Sequence, residues 1–399
     1  MRILYSFPNR LGITGIGMTA WHQVNELTQL GHAVVVCCGS CERPIPGVSG
    51  LLETMRVCGL KVPYRVFGRD RVMAYHDRVV ARLVRHRAGE FDVFHGWPLG
   101  SLETLMAARR LGLPSVLERP NAHTAYAYAV VSREHQALGV PVPARHTHRH
   151  DPVRLAREEA EYKLADQLAC PSDFVKGTFL ERGFPEWQVG RHHYGYDKGR
   201  FSASPEGSPR DGRFTALFAG RCEPRKGLHY ALRAWHRSGL SQHGRFLIAG
   251  QFIPGYLNCL SSLLDHPSIE VLGFVPDVES QMRRSDVFVL PSLEEGSALV
   301  THEARACGCV LLVSDAAGAD VRAGIDGFVH HAGDIETLAA QLRKLHDAPN
   351  RLAEVRAAGR SVSATCSWRE AGESLCRLYE RAKVVAANGG AIGPLPQFA

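Results

Sequence analysis

The amino-acid sequence predicts an α/β protein with two parallel-sheet domains, and three observations lead to this fold class. Short apolar segments alternate with helical ones through the first half of the chain, as in a sheet covered on both faces. The same alternation restarts at Phe214, after a stretch rich in Ser, Pro, Gly and Arg at 198–213. The 399 residues, of which 45% are hydrophobic and 22% charged, are enough for two large domains.

The chain opens with a strand–helix–strand unit, predicted at residues 2–6, 18–30 and 33–37. The intervening loop holds Gly12, Gly15 and Gly17, which would let a ligand approach the helix start or would form a turn packed under that helix. Their spacing does not match the dinucleotide fingerprint Gly-x-Gly-x-x-Gly, because no glycine follows Gly17 by three residues. The glycines alone therefore leave both interpretations open.

The rest of the first half continues the alternation of strands and helices. Strands are predicted at 91–95, 113–118 and 167–170, and helices at 69–87, at 100–111 and from an N-cap at Ser172. Parallel sheets bind ligands at the carboxyl ends of their strands. This rule selects His95, Glu118 and the loop Arg119–His123, in which His123 is either a structural residue or a contact to substrate.

Residues 133–151 are polar and include three alternating histidines, His146, His148 and His150. Alternate histidines could present a metal site on a strand. Arginines lie between them, and cationic neighbours oppose metal capture, so the pattern favours a solvated loop.

The second half repeats the alternation. The predicted strands are 214–219, 246–249, 269–272, 286–290 and 310–313, and the predicted helices end near 237, cover 334–346 and cover 368–386. Between the first of these strands and its helix, Arg221 and Lys226 flank a turn where two cations could face a diphosphate. The alternative for this pair is that both cations are exposed on the surface.

A second loop, from Pro291 to Gly296, leads into a helix predicted at Ser297–Cys307. Small residues at the helix start leave backbone N–H groups unshielded, and such groups attract phosphate. Glu295 and Glu303 lie eight positions apart, which predicts two carboxylates two helical turns apart near one anion site. One could meet a sugar and the other a ribose.

Composition limits the classes of partner and the compartment. The net charge of +7 comes from scattered arginines, so we expect no nucleic-acid partner. No apolar run reaches the roughly 18 residues of a membrane helix, and the first residues predict a strand and not a signal peptide. The 11 cysteines fit reduced thiols in the cytoplasm, and Cys37, Cys38 and Cys41 lack companion ligands at zinc spacing. We therefore expect no metal.

Several of these motifs together resemble glycosyltransferase family 4, which has the GT-B fold. The resemblance is carried by Gly220-Arg221 with Lys226-Gly227, by Glu295 with Glu303, and by Asp326-Gly327-Phe328 followed by Gly333-Asp334. Motifs in the first half, such as Ala165-Asp166, Pro171-Ser172 and Gly195-Tyr196-Asp197, extend it over nearly the whole chain. A finer similarity, around Glu118–His123 and Glu295–Glu303, is to a subgroup associated with bacterial surface-polysaccharide assembly.

The resemblance implies two Rossmann-like doubly wound domains that face a cleft. The acceptor-binding domain would span 1–197 and be joined by the C-terminal helix at about 368–386, and the nucleotide-sugar domain would span 214–367. Residues 198–213 would be the linker and 387–399 a flexible tail.

It also implies a role for each site residue. Arg221 and Lys226 would neutralise the leaving diphosphate, and the helix start at Ser297, Ala298 and Leu299 would add N–H donors. Glu303 would bind the ribose, Glu295 the donor sugar, and His123 would lie on the acceptor side. Gly15 and Gly17 would close over the donor from the first domain. Many members have an aromatic residue and glycine where this chain has Ser297 and Ala298, which affects the shape of the sugar pocket.

The implied reaction is transfer of a hexose, with retention of anomeric configuration, from a UDP- or GDP-sugar to a glycan or lipid-linked acceptor. No cofactor or metal is required in this interpretation, since the two cations take the place of a metal. The enzyme would be cytoplasmic, and a lipid-linked acceptor leaves peripheral association with the inner face of the membrane open.

Three other functions compete with transfer. The first is a GT-B nucleotide-sugar epimerase, whose acid and base residues are not evident. The second, of another class, is an NAD-dependent oxidoreductase built on the opening unit, against which the missing third glycine counts. The third is a non-catalytic nucleotide-sugar-binding protein, which the complete charged set disfavours.

Overall fold

The structure is a computed structural model that describes residues 1–57, 60–61, 68–203 and 212–388. The chain forms two compact units. The first contains Met1–Pro120, Asp151–Tyr194 and Trp368–Ala399, and the second contains Asn121–His150 and Gly195–Ser367. Residues 204–211 of the predicted linker and 389–399 of the predicted tail lie outside the described part.

The strands follow one another along the chain as β1 (Arg2–Leu11), β2 (Ala33–Cys41), β3 (Gly50–Glu53), β4 (Arg56–Val57), β5 (Leu60–Lys61), β6 (Val93–Gly96), β7 (Ser115–Glu118), β8 (Gln167–Cys170), β9 (Val189–Arg191), β10 (Thr215–Ala219), β11 (Arg245–Ala249), β12 (Ile269–Gly273), β13 (Val287–Leu290), β14 (Val310–Ser314) and β15 (Gly327–His330).

The helices are α1 (Ile16–Gln29), α2 (Arg69–Arg87), α3 (Leu102–Leu111), α4 (Thr124–Ala137), α5 (Pro152–Leu164), α6 (Asp173–Leu180), α7 (Leu228–Ser238), α8 (Tyr256–Cys259), α9 (Ser261–Leu264), α10 (Val278–Arg284), α11 (Leu299–Ala306), α12 (Ile335–Asp347), α13 (Pro349–Ser363) and α14 (Trp368–Ala387). Short 3-10 turns cover Ala88–Glu90, Pro224–Lys226 and Leu240–Gln242.

The first unit is built on a seven-stranded sheet in the order β3-β2-β1-β6-β7-β8-β9, in which all pairings are parallel. Its interior strand β1 is buried on both faces, with Ile3, Tyr5 and Phe7 in one core cluster and Leu4 in the other. The C-terminal helix α14 contributes to the first of these clusters. Double burial explains why the strands are continuous apolar runs.

The second unit has a six-stranded, all-parallel sheet in the order β12-β11-β10-β13-β14-β15. Its core combines residues of β10, β11, β13, β14 and β15 with apolar faces of α7, α12 and α13. The prediction of two Rossmann-like parallel-sheet domains is therefore confirmed. In both sheets the chain runs outward from a central strand, returns, and continues on the other side, which places a switch point in each.

The structure differs from the sequence-based prediction in several elements. The sequence did not predict helices α4, α8, α9, α10 and α13 or strands β3, β4, β5, β9 and β15. Strand β1 continues to Leu11 although Pro8 suggested a loop, because the ladder with β2 is irregular between Phe7 and Arg10 and needs no N–H there. Residues Asn121–His150, assigned by sequence to the first domain, cluster with the second unit.

Candidate functional site

The two loops singled out by sequence lie side by side in the second unit. They follow β10 and β13, which are paired in the sheet through Ala216 with Val287 and Leu217 with Phe288. The strand order reverses between these two strands, and this is where an open parallel sheet leaves a crevice for a ligand. The fold therefore brings together the cationic turn at 220–227 and the acidic loop at 291–298.

Backbone contacts lock these loops to each other. Gly227 has φ of 71°, and a Cβ at this position would overlap the carbonyl oxygen of Pro291. The amide of Leu293 donates to the carbonyl of Arg225 at 2.8 Å, and the Arg225 guanidinium donates to the carbonyl of Glu294 at 2.8 Å. Only glycine fits the first of these approaches, which accounts for the Lys226-Gly227 pair.

A cleft of about 730 Å³ opens beside the loops. Its wall contains six of the predicted site residues, namely Arg221, Lys226, Glu295, Ser297, Ala298 and Leu299. Apolar residues that include Phe252, Ile253, Phe274 and Val275 complete the lining. A concave site with a few convergent polar groups on an apolar wall is typical of small-ligand binding.

The two predicted cations differ in environment. The Arg221 side chain is 54% exposed, and its Nε lies 3.4 Å from a carboxylate oxygen of Glu223. The Lys226 side chain is 16% exposed and its ammonium contacts the Glu295 carboxylate. Burial, with a further contribution from the charge of Arg225, lowers the pKa of Lys226 to about 7. Lys226 therefore titrates close to neutral pH.

The helix start beside these cations has no side-chain cap. Helix α11 begins at Leu299, and its N-cap Ala298 carries no side-chain oxygen to accept from the first-turn amides. Uncapped amides and the helix dipole favour an anion at this end. The helix begins two residues after the predicted start at Ser297, so the expected separation of two helical turns between Glu295 and Glu303 is wrong. Glu295 lies in the loop, as predicted.

Glu303 lies one turn into α11, on the same side as Leu299 at the cleft wall. It does not itself belong to the cleft lining in the described part of the chain. Burial raises the pKa of Glu303 to about 7, and the carboxylates of Glu279 and Asp197 raise it while Arg200 lowers it. The carboxyl group therefore titrates close to neutral pH.

His123 is the N-cap of α4. Its side chain is 2% exposed, and Nδ1 accepts the Ala125 amide at 3.2 Å. The adjacent Ala122 amide donates to a carboxylate oxygen of Glu294 at 3.2 Å, so this turn packs on the acidic loop. His123 is not among the cleft-lining residues that the structure describes. The contact to substrate stays a prediction beside this structural role.

Gly15 and Gly17 lie in the first unit, at the start of α1. Gly15 is the N-cap with φ of 80°. A Cβ at Gly17 would overlap the Arg10 carbonyl oxygen, so this glycine has a packing reason independent of any ligand. Their predicted contact with the donor stays a prediction.

Glu118 and His95, which sequence selected as ligand candidates, lie inside the core of the first unit. Glu118 is fully buried and accepts from Gln23 Nε2 at 2.9 Å, His192 Nε2 at 2.9 Å and the Tyr194 hydroxyl at 2.7 Å. The buried carboxylate is therefore engaged by three donors of its own unit.

Sequence reasoning missed a buried charge network behind the cleft. Arg225 Nε lies 2.7 Å from Glu223, and its Nη1 lies 3.2 Å from Glu294. His146 and His148 contact these two carboxylates at 3.1 and 3.3 Å. The histidines are 4% and 8% exposed, so the prediction that they lie in a solvated loop is wrong. The only sequence signal was the alternation of acidic and basic residues in the two loops.

No group of three or more His, Cys, Asp or Glu side chains in the described ranges could hold a metal ion. Within the same ranges, no helix has both the length and the apolar composition needed to span a bilayer.

Two family models match the chain. One described as glycosyl transferases group 1 matches residues 213–348, and one described as glycosyltransferase family 4 matches residues 13–200.

Curated relatives match over most of their length. The D-inositol 3-phosphate glycosyltransferase of Thermobispora bispora is 28% identical over 353 residues, covering 80% of this chain and 78% of that protein. The protein of the same name from Rhodococcus erythropolis is 27% identical over 344 residues, covering 80% of this chain and 74% of that protein.

Solved structures are similar over nearly the whole chain. HepE of Anabaena, solved in complex with UDP, has a TM-score of 0.65 at 15% identity and covers 95% of this chain and 100% of that one. Sucrose-phosphate synthase of Thermosynechococcus elongatus has a TM-score of 0.66 at 16% identity, and the match covers 97% of this chain and 100% of that chain. These likenesses confirm the GT-B fold.

Proposed function

Because the chain belongs to the group 1, family 4 glycosyltransferases, we propose that it transfers a hexose from a nucleoside-diphosphate sugar with retention and without a metal ion. The acceptor would be a glycan or a lipid-linked saccharide in bacterial surface-polysaccharide synthesis. One observation carries the proposal: Arg221, Lys226, Glu295 and the uncapped start of α11 line a single cleft at the switch point of the second sheet.

The leaving diphosphate explains this arrangement. Cleavage of the bond to the sugar leaves additional negative charge on the phosphate oxygen, and stabilising that charge lowers the barrier. Lys226 and Arg221 supply positive charge, and the first amides of α11 supply N–H donors. In this proposal the departing phosphate oxygen takes the acceptor proton, so no separate base is required.

The remaining groups would orient the donor. Glu303, one turn along α11, would accept hydrogen bonds from the ribose hydroxyls, and Glu295 would contact the sugar. Ser297 and Ala298 line the cleft, so their small side chains would shape the sugar pocket. His123, Gly15 and Gly17 would meet the acceptor and the donor from the segments described above.

Substitution of the lysine tests the catalytic role. Lys226→Ala should lower kcat about a hundredfold or more and raise the donor KM much less, since the charge acts mainly in the transition state. Lys344→Ala, which removes an exposed lysine on α12 of the same unit, should leave both constants unchanged. An unchanged kcat with only a raised donor KM in Lys226→Ala would contradict the proposed role.

The donor and acceptor can be assigned by binding. A thermal-shift panel of UDP-, GDP- and ADP-sugars should raise the unfolding temperature with the true donor, because a ligand of the native state stabilises it. Acceptor trials should include D-inositol 3-phosphate beside lipid-linked glycans, given the names of the relatives. Absence of any shift across the donor panel would count strongly against the proposal.

We further propose that the enzyme acts in the cytoplasm and binds peripherally to the inner face of the membrane. In support, Arg71, Arg78, Arg82 and Arg85 lie exposed along one stripe of α2 together with Tyr75. Such a stripe attracts anionic lipid. Co-sedimentation with vesicles rich in anionic lipid, and none with neutral vesicles, is the expected result, and Arg82→Glu with Arg85→Glu should reduce it.

A further inference from the structure

The charge network behind the cleft begins in a short turn that precedes α5. The amide of His146 donates to the Pro143 carbonyl at 2.9 Å, and the Arg149 amide donates to the His146 carbonyl at 3.1 Å. The turn holds the rings of His146 and His148 with centroids 5.9 Å apart in an edge-to-face arrangement. Both side chains are buried within the second unit.

Hydrogen bonding defines the proton position on His146. Its Nδ1 accepts the His148 amide at 3.1 Å, so the ring proton lies on Nε2. Nε2 then donates to the Glu223 carboxylate at 3.1 Å. Burial would raise the pKa of Glu223, but this hydrogen bond and the charges of Arg225 and Lys226 lower it well below its ordinary value. Glu223 is thus held as an anion.

His148 lies against the second carboxylate. Its Nδ1 lies 3.3 Å from Glu294, which also accepts the Ala122 amide at 3.2 Å. Burial would raise the pKa of Glu294, yet His148, Arg225 and that amide lower it to about 2. Each of the two loops therefore contains a buried anion.

Of the three cations in the 220–227 loop, Arg225 is the one that both anions engage, whereas the exposed Arg221 lies 3.4 Å from Glu223 alone. Arg225 is gripped by Glu223 and Glu294, and its side chain is 14% exposed. It does not line the cleft among the described residues, whereas its neighbours Arg221 and Lys226 do. A buried guanidinium needs such paired carboxylates, since an unpaired buried charge is costly.

We propose that His146 and His148 are positioning residues for the donor site: by holding Glu223 and Glu294 they retain Arg225 inside the fold and leave Lys226 and Arg221 to face the diphosphate. The inference rests on the proposed function and assigns this segment to the reaction of the same site. Glu223 contacts His146 and Glu294 contacts His148, and Arg225 lies on these two carboxylates. The ring centroid of His135 lies 5.9 Å from that of His146.

A pair of substitutions at position 146 separates positioning from packing. His146→Gln places an amide N–H near the position of Nε2 and keeps the donor to Glu223. His146→Asn has a polar but shorter side chain and loses that donor. Titration calorimetry with inorganic pyrophosphate at one pH should show Kd raised about tenfold in His146→Asn and close to wild type in His146→Gln. His243→Asn, at an exposed histidine of the same unit, should bind as wild type.

Thermal unfolding of each variant shows whether the substitution has unfolded the protein. The comparison uses temperatures at which all variants are folded, so a raised Kd reports the site. Equal pyrophosphate affinity in His146→Asn, His146→Gln and wild type would overturn the inference, whatever their unfolding temperatures. If His146→Asn does not fold, Glu223→Gln takes its place, and unchanged pyrophosphate affinity there would equally overturn it.

Lys226→Ala distinguishes failure of this inference from failure of the proposed function. Loss of pyrophosphate binding in Lys226→Ala with retained binding in His146→Asn would reject the positioning role alone. Wild-type binding in Lys226→Ala would reject the donor site, and the inference with it.

Discussion

Binding of a nucleoside-diphosphate sugar should be tightest near pH 7. Lys226 and Glu303 both titrate there, because burial lowers the pKa of the lysine and raises that of the glutamate, each to about 7. Binding of the diphosphate favours Lys226 in its protonated form, present below pH 7. Binding of the ribose hydroxyls favours Glu303 in its ionised form, present above pH 7. The two requirements oppose each other.

The size of the effect follows from the two pKa values. The fraction of protein with both groups in the required form is about one quarter at pH 7 and about one twelfth at pH 6 or 8, so affinity should fall about threefold on either side. Calorimetric titration with a UDP-sugar suits the measurement, because its diphosphate diester stays ionised throughout this range. Ionic strength is kept constant, since screening also changes such affinities.

Glu303→Gln is the matched control for this profile. Without the carboxylate, affinity should no longer fall below pH 7. It should instead fall about tenfold from pH 6 to pH 8 as Lys226 loses its proton. An affinity that does not change with pH in the wild type would refute the reasoning. A loss of affinity below pH 7 that persists in Glu303→Gln would also refute it.

Four substitutions test the scaffold by chemical denaturation. Gly227→Ala, which meets the Pro291 carbonyl, should lower the free energy of unfolding by about 3 kcal/mol, whereas Gly239→Ala, with similar φ but open space, should cost only about 1 kcal/mol. Equal costs would contradict the packing argument. Glu118→Ala leaves three buried donors without their acceptor and should cost about 3 kcal/mol. Ser172→Ala removes the N-cap of α6 and should cost about 1 kcal/mol, and no loss would argue against that cap.

Sequence patterns determined the fold class and most of the strands and helices. Residues 69–87 and 167–170 were predicted with the bounds that the structure has, because local periodicity and burial are repeated within each element. Element ends were less certain. Strand β1 passes Pro8, since the cost of proline depends on a neighbouring strand that the local sequence does not show.

The candidate site was partly readable from the same patterns. Parallel strands place the loops after β10 and β13 at one edge, so Arg221, Lys226 and Glu295 could be expected together. Their chemistry needs only residue type and position at a strand end. Glu118 met the same rule and was a wrong lead, because three donors from distant parts of its unit enclose it.

Only the tertiary structure decided how the cations of the 220–227 loop divide between the core and the cleft. His146 and Glu223 are 77 residues apart, and their contact depends on a turn packing against a loop with no shared periodicity. Burial also decided the protonation of Lys226 and Glu303, since desolvation depends on every atom around a group. The sequence thus determined which charged residues reach the edge of the sheet, and the packing determined which of them face a ligand.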